Sequence, residues 1–339
     1  RGRLSRARRF LRGLLAWRCQ PPSARAVRQA WLSDLIRELH AASYGSYGAN
    51  RVHAELVLGE IVGVDLDART ATVDTEAGRQ TLAWRELVLA LGAVPRTVPV
   101  PGLSEHGLSF KSLPDAINLR NHVLRQLEAA DAEQDDARRR VHLTFVFVGA
   151  GYAGVEALAE LSDLCLDALR YYPRLRGTPT RWVLVDAAPK ILPEIPRRLG
   201  EYAARELAER GVDIHVGTTL DSVSADEAVL GDGTRIPTHT LVWTAGVRPN
   251  PLLGELGVPL DERGRVEVDE LLRVRGRDGV WALGDCARVP NTRSSEPDPP
   301  TCQHALRQAR RLAKNLTGTP EPYGYRMLGQ VATLGRYKG

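Results

Sequence analysis

The chain has 339 residues, 43% apolar and 26% charged, enough for two globular domains with cores of their own. It contains no run of about 18 uninterrupted apolar residues, which excludes a membrane-spanning helix. Its four cysteines form no Cys-x-x-Cys, which excludes zinc-ribbon and dithiol spacings and fits a reducing, cytoplasmic setting.

The net charge of +5 is unevenly spread. Residues 1–33 carry nine arginines and no acid, which leaves the rest of the chain at −4. An Arg-rich, acid-free head suits a nucleic-acid arm, an organellar transit peptide or a plain solvated tail. In the stretch 30–42, Trp31, Leu32, Leu35, Ile36 and Leu39 recur at spacings of three and four, which predicts a helix with one apolar face. With the Tyr47-Gly48-Ala49-Asn50-Arg51-Val52-His53 pattern that follows, residues 17–56 resemble the segment ahead of the catalytic core in insertion-sequence transposases. None of that core follows, so no transposase activity is inferred.

From about Glu60 the pattern changes to short alternating strands, at 61–66, 70–74 and 80–82, with turn residues between them. The apolar run Leu87–Ala93 reads as a strand buried on both faces. Helical periodicity follows at 114–132 and 153–170, and strands are expected at 141–148, 182–186, 213–216, 241–245 and 280–283. Strands alternating with helices imply a parallel sheet with crossover helices, an α/β architecture. The stretch 294–300 reads as a polar, Pro-rich loop and nothing more.

The strongest chemical signal is the run Phe145 to Gly154, a buried-type strand that opens into Gly149-x-Gly151-x-x-Gly154. In this pattern the first glycine makes the tight turn, the second admits a pyrophosphate to the backbone, and the third lets the helix pack closely. The helix N-terminus then faces the phosphates. Asp186 ends the next strand, where a carboxylate accepts ribose hydroxyls and repels a 2′-phosphate, favouring NAD over NADP. The alternative is a glycine-rich turn of an unrelated α/β fold. A second signal, Gly284-Asp285 after the strand 280–283, places a carboxylate at a ligand-binding sheet edge, or equally a helix N-cap.

The order of these pieces, from Leu89-Ala90-Leu91-Gly92 through the inserted nucleotide unit to Thr244-Ala245-Gly246 and Gly284-Asp285, resembles the two-dinucleotide-domain (Rossmann-like) flavoprotein reductases. The runs at 109–116, 241–246 and 329–335 resemble the type II NADH dehydrogenases within that superfamily, nearly continuously over 57–339. The resemblance implies FAD and NAD as cofactors, NADH and a quinone as partners, peripheral contact with the inner face of a membrane, and a homodimer. It implies Gly149, Gly151, Gly154 and Asp186 as NAD contacts, with Gly92, Gly246, Gly284 and Asp285 as further cofactor contacts and Asp285 on the FAD ribityl chain. It sets Glu156, Gln303 and Lys338 near the reacting rings. The same residues also have plainer readings: Glu156 as a helix-dipole partner, Gln303 on an amphipathic packing helix, and Lys338 as a solvated charge.

The family's first Gly-x-Gly-x-x-Gly, which cradles the FAD pyrophosphate, has no counterpart before residue 149, and its membrane-lying C-terminal helices lie beyond Gly339. The expected organisation is therefore a transposase-like head, 1–56, joined to a partial FAD-binding domain, 57–102 with 273–315. An NAD-binding domain, 103–272, is inserted in it, and 316–339 begins a C-terminal domain. Weakened FAD binding is expected from an FAD domain incomplete at its N-terminus. Two other readings remain: a disulfide or ferredoxin reductase of the same superfamily, and a non-catalytic NAD-binding fragment whose basic head binds nucleic acid.

Overall fold

The computed structural model describes residues 59–339 apart from Thr97 and Tyr337. The basic head, the 30–42 helix and the transposase-like pattern lie outside the described residues. In chain order the strands and helices begin with β1 (Glu60–Asp65), β2 (Thr70–Thr75), β3 (Gly78–Ala83), β4 (Leu87–Leu89), β5 (Ala93–Pro95) and β6 (Gly107–Ser109). Next come α1 (Leu113–Ala132), α2 (Asp136–His142), β7 (Thr144–Val148), α3 (Tyr152–Leu169), β8 (Arg181–Asp186), α4 (Arg197–Glu209) and β9 (Val212–Val216). They are followed by β10 (Leu220–Val223), β11 (Glu227–Leu230), β12 (Arg235–Pro237), β13 (Leu241–Trp243) and β14 (Val247–Pro249). The last are β15 (Val266–Glu267), β16 (Val280–Ala282), β17 (Ala287–Arg288) and α5 (Cys302–Thr317).

These elements form two compact units. The described residues of the first are 95–246 and 330–339, and those of the second 59–94 and 247–329.

The first unit is built on a five-stranded parallel sheet in the order β6-β13-β7-β8-β9. Its central strand β7 is buried at every position, and successive side chains feed opposite cores. Phe145 and Phe147 join the helix-side core with Trp182, Leu184, Leu158 and Leu207, while Val146 and Val148 join Val183, Val185, Ala228 and Ile236 on the other face. A period of two thus serves two different layers, helices on one side and the antiparallel β10-β11-β12 meander on the other. The helix α1 starts at a capping box, with Ser112 accepting from the Asp115 amide and Asp115 accepting from the Ser112 amide, and Pro114 in the first turn.

The expected strand at 141–148 begins three residues later. Asp135 caps α2 through the amides of Ala137 and Arg138, so Val141 and His142 finish that helix and Leu143 closes it.

The second unit holds the antiparallel sheet β1-β2-β3, the parallel pair β4-β16, the pair β15-β17 and α5, around a core that includes Leu89, Leu253, Val266, Leu272, Trp281 and Leu312. The apolar run Leu87–Ala93 is not one strand: β4 covers Leu87–Leu89, Ala93 opens β5, and β4 is not buried on both faces. Val88 is exposed, and β4 pairs with β16 alone among the described residues. Residues 247–272 belong to this unit rather than to the nucleotide unit expected over 103–272, because Leu253, Leu256, Val258, Val266 and Val268 pack with Trp281.

Candidate functional site

In the first unit, β7 delivers the chain into the glycine turn at the C-terminal edge of the sheet. Gly149 has φ 113°, and a Cβ there would lie 2.6 Å from the Ala245 nitrogen. A Cβ on Gly154 would lie 1.8 Å from the Gly149 carbonyl oxygen. Packing alone therefore demands glycine at both positions. Gly151 differs, since the nearest atom to its Cβ would be Glu194 Oε1 at 3.8 Å. The space a side chain would fill there is open, and Gly151 is the N-cap of α3 with no side chain capping it. A helix N-terminus with open backbone in front of it suits a pyrophosphate.

The turn is braced from three sides. The Thr244 hydroxyl, just after β13, is shared between the carbonyls of Val148 (3.0 Å) and Gly149 (2.8 Å). The Leu192 amide donates to Ala150 O at 2.7 Å. Asp186, at the end of β8, accepts from the Ala150 amide through Oδ2 and from the Ala188 amide at 2.7 Å through Oδ1. Two oxygens offer about four lone-pair sites, so a carboxylate that holds the turn retains acceptors for ribose hydroxyls. Gly246 lies beside this edge with φ 83°, its carbonyl accepting from the Arg96 amide at 3.1 Å.

Tyr152, inside the motif, was not singled out from the sequence. Its hydroxyl oxygen is buried without a hydrogen-bond partner. Burial first, and then the charges of Glu194 and Glu156, push its pKa up. A buried hydroxyl without a partner, on the first residue of α3, leaves a hydrogen bond for a polar ligand to complete. Glu156 Oε1, in the second turn of α3, accepts both the amide (2.8 Å) and the hydroxyl (3.1 Å) of Thr333. Lys338 forms an ion pair with Glu206 on α4, whose hydrogen bond raises the lysine's pKa and lowers the glutamate's.

In the second unit the parallel pair β4-β16 sets two more glycine turns side by side. The Leu283 amide donates to Leu89 O at 3.1 Å, and beyond it Gly92 (φ 62°) and Gly284 (φ 74°) take left-handed conformations that glycine adopts without strain. No atom lies within 4 Å of a Cβ on Gly92, which again leaves a cradle beside the half-buried Asp285. These residues fit the polyol stretch of a flavin nucleotide. Gln303, in the first turn of α5, donates to Gly329 O at 3.0 Å and accepts from the Tyr325 hydroxyl at 3.2 Å. Gln308, five residues further along α5, accepts from the Gly284 amide at 2.8 Å.

The three described cysteines are free thiols. Burial pushes the Cys165 thiol up to about 12 and raises that of Cys286, and Cys302 is exposed. No metal-binding group of His, Cys, Asp or Glu occurs among the described residues.

A protein-family model described as pyridine nucleotide-disulphide oxidoreductase matches residues 15–309. The chain belongs to that family. The matched stretch begins ahead of residues 17–56 and runs through all of them. Among its relatives, an internal alternative NAD(P)H-ubiquinone oxidoreductase A1 of Solanum tuberosum mitochondria is 31% identical over 296 residues, 81% of this chain and 59% of that protein. The type II NADH:quinone oxidoreductase Ndh of Mycobacterium tuberculosis is 30% identical over 302 residues, 84% of this chain and 64% of that protein. The chain thus spans about three-fifths of the length of the curated relatives it matches. Among solved structures, NDH2 from Plasmodium falciparum in complex with NADH superposes with a TM-score of 0.73 at 15% identity, covering 83% of this chain and 74% of that one. The α/β dinucleotide-binding reductase fold expected from the sequence is the fold found.

Proposed function

We infer that this pyridine nucleotide-disulphide oxidoreductase acts as a type II NADH dehydrogenase, oxidising NADH through FAD and passing the electrons to a quinone. The observation that carries the reading is the Gly149–Gly154 turn, open only at Gly151, with Asp186 anchored beside it. Relatives at about 30% identity that are NADH:quinone oxidoreductases support the rest. When bound, FAD supplies the hydride acceptance and the onward electron transfer.

The chain's own residues bind and orient. Gly149, Gly151, Gly154 and the amides opening α3 hold the NADH pyrophosphate, and Asp186 the adenosine ribose. Gly246 closes the nucleotide edge. Gly92, Gly284 and Asp285 hold the flavin polyol. Glu156, Gln303 and Lys338 serve the reacting rings and the acceptor. The amide and hydroxyl of Thr333 both donate to Glu156 Oε1 and so fix the orientation of that side chain. No helix among the described residues is long and apolar enough to cross a membrane.

The deciding measurement is the visible spectrum of purified protein before and after anaerobic NADH. Flavin bands that bleach support the reading, and quinone turnover follows as the next assay. A colourless protein that still binds NADH rejects it in favour of a nucleotide-binding module, the reading that a single Gly-x-Gly-x-x-Gly in 339 residues favours.

A further inference from the structure

The stretch 294–300, unremarkable as sequence, carries a buried carboxylate. The Asp298 side chain is 3% exposed and has no lysine or arginine against it among the described residues. Its negative charge is met by neutral donors: Asn291 Nδ2 at 2.7 Å on Oδ1, and Tyr323 Oη at 2.6 Å with Gln308 Nε2 at 2.9 Å on Oδ2. His304 Nε2 stands 3.7 Å away, its other ring nitrogen 2.7 Å from the Thr301 hydroxyl. A buried charge among neutral partners is costly, and a well-packed apolar group would serve stability at least as well. Its specific effect is on direction.

An ionised carboxylate only accepts, so Gln308 must turn its NH2 toward Asp298. The Gln308 carbonyl then has one place to go, the Gly284 amide at 2.8 Å. A second arm leaves the same hub. Asn291 clasps Tyr325 through both backbone groups, accepting its amide at 3.0 Å and donating to its carbonyl at 2.8 Å, and the Tyr325 hydroxyl donates to Gln303 at 3.2 Å.

We propose that Asp298 is a positioning residue that, through the enforced orientation of Gln308, sets the Gly284-Asp285 turn for a flavin polyol, and through Asn291 and Tyr325 sets Gln303. The proposal rests on the flavin reading above. Burial, and then the charge of Asp298, keep the Tyr323 hydroxyl protonated, so that donor is constant. With Asp298→Asn the network loses the obligate acceptor that faces Gln308. The Gln308 amide is then free to flip and present NH2 against the Gly284 N–H.

The test is a swap of polarity. Asp298→Asn should weaken FAD binding roughly tenfold or more and speed amide exchange in the peptide containing Gly284 and Asp285. Adding Gln308→Glu restores a donor at 298 facing an acceptor at 308, whose second oxygen again receives the Gly284 amide. The double variant should recover FAD affinity to within about threefold of wild type. NADH affinity, set in the first unit, should hold throughout.

A folded Asp298→Asn protein with wild-type flavin affinity and exchange overturns the proposal alone, as does a double variant no better than the single. If the single variant fails to fold, recovery of fold and flavin by the double variant supports the proposal, and no recovery overturns it. Wild-type protein that takes up no FAD overturns the functional reading and this proposal together.

Discussion

A methyl group at Gly151 and one at Gly154 should have opposite consequences. Gly154→Ala forces a carbon against the Gly149 carbonyl and should cost about 1–3 kcal/mol in urea unfolding, with nucleotide affinity falling alongside. Gly151→Ala meets no protein atom closer than 3.8 Å, so stability should hold while NADH affinity, read by fluorescence titration, drops about tenfold or more. Equal destabilisation of the two variants would mean that the open cradle at Gly151 is not a ligand site. Asp186→Asn keeps the size of the brace but removes the charge that repels a 2′-phosphate. It should narrow the preference for NADH over NADPH by about tenfold, measured as the ratio of the two affinities.

A titration effect is expected far from the nucleotide edge. His122 on α1 bonds Thr240 at 2.8 Å, and burial, then the charge of Arg125, push its pKa down from 6.5 to about 4. Between those values the unfolded chain binds a proton that the folded chain does not. The contribution is therefore present in full above pH 6.5 and is lost as the pH falls toward 4, about 3 kcal/mol in all. Urea midpoints at pH 4.5 and 7.5 should differ less for His122→Asn than for wild type, and an unchanged difference would remove His122 from the account.

At the scale of elements, β7, its glycine turn and α3 were legible in the sequence because each of three adjacent signals stands on its own. The strand is apolar from Phe145 to Val148, the glycines fall at fixed offsets, and the helix repeats at 3.6. The brace on that turn was not legible, since Thr244 and Leu192 reach it from 95 and 42 positions away in the chain. The Asp298 hub was hidden for the same reason, as its partners sit on three separate segments and none forms a local pattern. The 141–143 boundary was misread because Val141 and Leu143 suit either state, and the deciding signal, the Asp135 cap, lies upstream.

The segment 330–339 offers an element-scale test. Arg210, at the end of α4, donates to Leu334 O, Ala159 O, the Ser162 hydroxyl and Asp163, and so ties that segment to α3. Arg336 adds pairs to Glu160 and Asp167. Those outer pairs are exposed and worth little individually, whereas Arg210 is three-quarters shielded. Arg210→Ala should cost about 2 kcal/mol and release amide exchange across 330–339, while Arg336→Ala should barely move the midpoint. Because Thr333 donates twice to Glu156, loosening this segment should also free the Glu156 side chain.

For the whole molecule, the register Leu87↔Val280 through Leu89↔Ala282 has a temporal consequence. The first unit needs little beyond the contiguous stretch 95–246, and every pairing of its five-stranded sheet closes within that stretch. The β4-β16 ladder waits for a partner almost two hundred residues downstream, and the Gly92 and Gly284 turns become neighbours only then. Long loops closed late are slow steps. During synthesis the chain should thus pass through a stage at which the nucleotide turn of the first unit is formed while the Gly92 and Gly284 turns are still apart, and the apolar run at 87–93 should be the segment a chaperone meets first.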